Sequence, residues 1–211
     1  MAFYDEVSDP TNFAISYTAS PKGDFGVFAK GYTLAANRLA SLLLEAPRFS
    51  DYEAYPVVFL YRHALELSLK HIIYSSALLA AFKDLDEIEG GLQNFHDLKE
   101  LSGIAEAILT RLFPKDESLR RAITTVTRTC HEFSEIDPRS YAYRYPIDKK
   151  GQRLTKRHQM ANLRAFTDRM SSVLEDLDTI HFGLNIETDV AQEVYEAIQS
   201  LPSSAAKGER L

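Results

Sequence analysis

The sequence predicts an all-α protein folded as an antiparallel helical bundle, and three observations predict it. Apolar residues recur at helical spacing over long stretches, the breaks between those stretches are short, and two-residue alternation is confined to one segment near residues 140–152. With 211 residues and 45% hydrophobic content, the chain can bury one well-packed core, and its length argues against a second domain.

Residues 1–22 hold Pro10, Pro21 and scattered aromatics without a period, and read as an irregular N-terminal arm before a single bundle domain over 23–201. A first helix is expected from Asp24 to Glu45, with Phe25, Phe28, Leu34, Ala35, Leu39, Leu42 and Leu43 at helical spacing and Pro47 ending it. A second runs from Asp51 to about Lys83, with Pro56 tolerated in its first turns or marking a kink. At about thirty residues it is the expected central helix. The stretch from Asp84 to Phe95, with Gly90 and Gly91, reads as a loop. A third helix follows His96-Asp97-Leu98, with Asp97 as N-cap, and stops before Pro114. The fourth spans Glu117 to Glu135 and is broken by Asp137-Pro138.

From Ser140 to Gln152 aromatics alternate with polar groups around Asp148-Lys149-Lys150-Gly151, so a small β-hairpin or ordered loop is expected there. Helical period returns from Leu154 to Ile180, and a last helix is expected from Thr188 to Leu201. Residues 202–211 are small and polar and read as a disordered tail.

A net charge of −6 argues against an open basic surface for duplex DNA, but the distribution is uneven. Between Arg139 and Arg169 stand nine basic residues against two acidic ones, while Asp84 to Glu89 and Glu175 to Asp178 are acidic. One cysteine, Cys130, excludes an intrachain disulfide. Asp5, Glu6 and Asp9 stand where a signal peptide would be basic, and no apolar run reaches the roughly 20 uncharged residues of a membrane span, so the cytoplasm is the expected location.

The densest chemistry lies on the second helix. Arg62, His63, Glu66 and Lys70 fall within a sector of about 100° on a helix whose other positions are mostly apolar. Burial of charge requires pairing, and Glu66 lies four residues from both Arg62 and Lys70. Two readings stand: a polar pocket for an anion or for proton transfer, and an ion-pair network that locks the helix to its neighbours. His96 and Arg144, the latter between aromatics, are candidates to complete such a pocket from elsewhere in the chain.

The basic run Arg153-Leu154-Thr155-Lys156-Arg157-His158 sits unfavourably at a helix start, which points to an anionic partner such as RNA or nucleotide phosphate, with Tyr141, Tyr143 and Tyr145 as stacking platforms. His131 with Glu132, Glu135 and Asp137 matches no metal-ligand spacing, and Cys130 and His131, as helix neighbours, point too far apart to share a proton. No phosphate loop, nucleophile elbow or Cys-x-x-Cys occurs, so no cofactor and no metal are expected.

The run Phe59-Leu60-Tyr61-Arg62-His63-Ala64-Leu65-Glu66-Leu67-Ser68-Leu69-Lys70, followed by His96-Asp97-Leu98 and Arg144-Tyr145-Pro146, resembles the HEPN superfamily over residues 50 to 180. The resemblance implies a bundle of four or five helices that pairs as a homodimer, in bacterial defence or toxin–antitoxin settings. Many members are metal-independent endoribonucleases with an Arg-x4-6-His motif shared between two protomers. Others bind RNA, nucleotides or a partner protein encoded nearby without cleaving anything, as antitoxin, adaptor or regulatory subunit. The matching pair here is Arg153 and His158, with Leu154 where the family usually has a polar residue. The resemblance gives His158 the role of acid or base and Arg153 that of stabilising the phosphorane.

Overall fold

A computed structural model of the chain describes residues 24–46, 48–82, 96–137, 140–154 and 160–200. The expected N-terminal arm and C-terminal tail lie outside them. Five helices build the bundle: α1 (Asp24–Glu45), α2 (Asp51–Phe82), α3 (Leu98–Leu112), α4 (Glu117–Ile136) and α5 (Leu163–Ser200). The short connections between α1 and α2 and between α3 and α4 make each pair antiparallel neighbours. Helix α2 lies against α1, α3 and α5, while α4 closes the ring between α3 and α5. The described residues contain no strand, and no helix among them is long and apolar enough to cross a membrane.

Burial nearly all round makes α2 the central element. Val57, Tyr61, Ala64, Leu65, Leu69, Ile72 and Ile73 are all at most 1% exposed, and they fall on more than one face of the helix. Pro56 lies inside α2 without ending it, because so near the N-terminus its missing N–H forfeits little hydrogen bonding. Helix α1 meets α2 through Ala29, Ala36, Ala40 and Leu43, whereas Phe28, Leu34 and Leu42 are exposed. Its small residues allow close approach, so the bulky ones stand on the flanks.

Both inner helix starts are capped by aspartate. Asp97 accepts from the Lys99 N–H at 2.8 Å, and Asp116 from the Leu119 N–H at 2.9 Å. The segment at 140–154 is an ordered loop closed by one antiparallel bridge between Ile147 and Arg153. Its turn uses Gly151 at φ 75°, and the Asp148 carboxylate accepts from the Lys150 and Gln152 amides.

The last third of the chain departs from expectation twice. Helix α5 begins at Leu163, not Leu154, because Asn162 caps it by accepting from the Ala165 N–H at 2.9 Å. Arg153 therefore sits in the bridged loop and not at a helix start. The two helices expected over 154–180 and 188–201 are one, since Gly183 alone does not break a helix and the buried stripe runs on through Ile180 to Leu184.

The exposure pattern of α1 and α2 predicts that Leu65→Ala lowers unfolding free energy by about 2–5 kcal/mol in urea titrations. Leu42→Ala, despite its place in the sequence periodicity, should change it by less than about 0.5 kcal/mol.

Candidate functional site

Arg62 is 1% exposed and reaches three elements. Its Nη1 donates to Glu66 Oε2 at 2.8 Å, and its Nη2 donates to the His96 carbonyl at 2.7 Å. Its Nε stands 3.4 Å from Asp137 Oδ2, an ion pair without hydrogen-bond geometry. The second Glu66 oxygen accepts from Lys70 Nζ and pairs with His96 Nδ1, each at 2.9 Å. Burial pushes the Glu66 carboxyl up, but the hydrogen bonds from His96 and Lys70 and the charges of Lys70 and Arg62 hold it below the ordinary range. Arg62, Glu66, Lys70 and Asp137 are all at least 97% buried, and the two cations balance the two carboxylates.

Asp137 extends the network into the loop. Its Oδ1 accepts from the Tyr141 and Ala142 amides at 2.8 and 3.1 Å, just beyond the end of α4. Ser140 takes φ 63° there, and its carbonyl accepts from Arg144 Nε at 2.7 Å. The Arg144 guanidinium lies over the rings of Phe59, Tyr141 and Tyr145, 5.1–5.7 Å from their centroids, while the residue as a whole is exposed.

Of the groups brought together, His96 is the one with chemistry to offer solvent. A carboxylate can only accept, so His96 Nδ1–H donates to Glu66, which orients the ring and leaves Nε2 as the other nitrogen of a side chain 56% exposed. His63 turns elsewhere, lying edge-on to Tyr32 and stacked on Phe59. Burial pushes its imidazole below the ordinary range, against the pull of Glu66 and together with the charges of Arg62 and Arg144. Arg153 is exposed on its loop, and His158 lies outside the described residues. Tyr141 and Tyr145 are exposed, whereas Tyr143 is half-buried beside Tyr55.

The acidic group near His131 is dispersed, because Glu132 makes a bidentate pair with Arg169 and Asp137 faces Arg62. Among the described residues no group of three or more His, Cys, Asp or Glu side chains is placed to hold a metal ion. Burial pushes the Cys130 thiol up to about 12, which keeps it protonated at neutral pH.

A second histidine pair, not singled out by spacing, joins α2 to α5. The rings of His71 and His181 are 3.9 Å apart at their centroids, with their Nε2 atoms facing each other. They line a cavity of about 570 Å³ between α1, α2 and α5, which also receives Lys30, Glu175 and Asp178. Gly26 of α1 presses on His71 so closely that a Cβ would come within 2.6 Å of the ring. Because they stand 110 positions apart, no local motif could announce the pair.

No protein-family model, curated protein or solved structure matches this chain. The site therefore has to be understood from its own geometry.

Two outcomes follow for stability. Arg62→Met strands Glu66 and Asp137 beside a single remaining cation and should cost about 3–5 kcal/mol, whereas His63→Phe, in an aromatic slot, should cost less than about 1.5 kcal/mol. Burial, with a smaller contribution from His181, pushes His71 down to about 4, while the unfolded chain takes up that proton near the ordinary value of about 6.5. Its stabilising contribution is complete above the ordinary value and is lost as pH falls through that window. Melting temperature should drop between those pH values, and His71→Gln should flatten the drop.

Proposed function

We propose that this is a HEPN-like RNA-binding protein that cleaves RNA at His96, a chemistry that calls on imidazole and guanidinium groups and not on a bound ion. The observation that carries the reading is the single buried arginine, Arg62, which ties the His96 backbone and, through Asp137, the Arg144 loop into one network. An exposed imidazole oriented by a carboxylate thus shares a scaffold with an exposed guanidinium flanked by Tyr141 and Tyr145. That is the set needed to take a proton, stabilise a phosphoryl oxyanion and stack a base. The basic residues Lys149, Lys150 and Arg153 on the same loop supply further phosphate contacts.

In the reaction, His96 Nε2 takes the proton of a ribose 2′-OH as that oxygen bonds to the adjacent phosphorus. The bond from phosphorus to the 5′-oxygen breaks, and the departing oxygen regains the proton from His96. A 2′,3′-cyclic phosphate and a 5′-hydroxyl remain. The HEPN resemblance adds bacterial defence or a toxin–antitoxin pair as the setting, and a homodimer as the working form.

A non-catalytic interaction module is the second reading. It is favoured by the exposed apolar residues Phe182, Ile186, Val190 and Val194 at four-residue steps along α5.

Incubation with a fluorescent single-stranded RNA in EDTA should give cleavage by the wild type that falls at least about 100-fold in His96→Ala. Loss in His158→Ala with His96→Ala unaffected would move the centre to the Arg153/His158 pair, and absence of cleavage at micromolar enzyme would leave the interaction module. Arg144→Ala should weaken RNA binding and lower the slope of log affinity against log salt by about 0.7.

A further inference from the structure

We propose that His71 and His181 form a binding site for a divalent late transition-metal ion, such as zinc or copper, that clips α5 to α2. Their Nε2 atoms stand 2.5 Å apart. An N–H donor holds its acceptor at about 2.7–3.2 Å, and this contact is tighter. The ring centroids are 3.9 Å apart at an interplanar angle of 50°, so the rings do not meet head-on but incline toward each other at their nitrogen edges. Two imidazoles approach a shared ion in that way. Nitrogens bound at about 2.0–2.1 Å to one tetrahedral ion stand roughly 3.3 Å apart, so the two edges open by less than about 1 Å to admit it. The cavity of about 570 Å³ that both histidines line supplies the room.

The surroundings of each ring fit a ligand. A Cβ on Gly26 would stand 2.6 Å from His71 Nε2, in the space that an ion and its water take up, and glycine keeps that space clear. His71 Nδ1 is enclosed without a partner, which leaves Nε2 as the one nitrogen of that ring open to a ligand. On α5, Asn185 acts one turn further on as a hydrogen-bond acceptor for the His181 ring. An outer acceptor of that kind orients a metal-bound imidazole.

The donor set selects the class of metal. Imidazole nitrogen suits copper, nickel and zinc, whereas magnesium and calcium take oxygen. Among the described residues no third His, Cys, Asp or Glu is placed to close the site, so water from the cavity completes the coordination. The cavity sets Glu175 and Asp178 against Lys30, a balance that favours a dication over an anion. Two protein ligands and an open coordination sphere make this a site for an exchangeable ion. It is separate from His96 and does not depend on the RNA reading, whose assay in EDTA leaves it empty.

The test uses the untagged full chain, stripped with EDTA, dialysed and titrated at neutral pH with copper sulfate, zinc chloride and magnesium chloride in separate calorimetric runs. Copper should bind at least about tenfold more tightly than zinc, and magnesium should not bind. Zinc should also raise the melting temperature. One equivalent of copper should give an electron paramagnetic resonance spectrum with hyperfine structure from two nitrogens, a readout that needs no variant. His71→Gln and His181→Gln should each lose at least about tenfold in zinc affinity, together with the rise in melting temperature, while the exposed His131→Gln keeps both. Absence of binding by copper and zinc, a copper spectrum from a single nitrogen, or zinc affinity retained in both variants would overturn the proposal. So would magnesium binding as tightly as zinc, since the ion would then belong to Glu175 and Asp178.

Discussion

A guanidinium enclosed at the centre of a helical bundle must find partners or the bundle does not form, and Arg62 finds them in three separate parts of the chain. Glu66 on its own helix, the His96 carbonyl before α3 and Asp137 at the end of α4 all converge on it. Burying this charge unpaired would cost several kcal/mol, so the requirement for partners brings together the start of α3, the end of α4 and the loop that follows. Lys70 and Asp137 complete the balance of charge, which allows the cluster to remain fully enclosed.

The same requirement divides the polar residues by role. Those inside the network spend their hydrogen bonds on one another and act as scaffold. Those at its edge, His96 and Arg144, have backbone or ring atoms anchored and still offer functional groups outward. Anchoring limits the rotamers each can adopt, and such preorganisation is what acid–base and oxyanion chemistry demands. At the opposite end of α3 the surface changes character to apolar residues edged with carboxylates. The bundle is polarised along its length, with basic and aromatic groups on the 140–154 loop and acidic and aliphatic ones along the second half of α5.

Much of this was legible in the residues. Helix boundaries followed from the prolines and from Asp97, since Asp97 caps α3 and Pro114 and the Asp137-Pro138 step interrupt by local chemistry alone, whereas the Asp116 cap of α4 was shown by the structure. The Arg62, Glu66 and Lys70 set was visible because its spacing is helical and its surroundings apolar. Periodicity misled where burial depended on the partner's shape. In α1 the alanines face α2 and the larger Phe28, Leu34 and Leu42 do not. In α5, the helices expected to end at Ile180 and to restart at Thr188 are one, because the core contacts of Ile180 and Leu184 carry the helix through.

Sequence by itself determined the all-helical class, the number of long apolar elements before α5, the caps and the existence of a charged cluster that had to be neutralised, because these rest on interactions within a few residues. Only the tertiary structure decided that Asp137 and His96 join Glu66 around Arg62 and Lys70, that His63 leaves the cluster for an aromatic slot, and that His71 meets His181. The Glu66–His96 and His71–His181 pairings join residues 30 and 110 positions apart, and the energy that selects them comes from packing whole helices together.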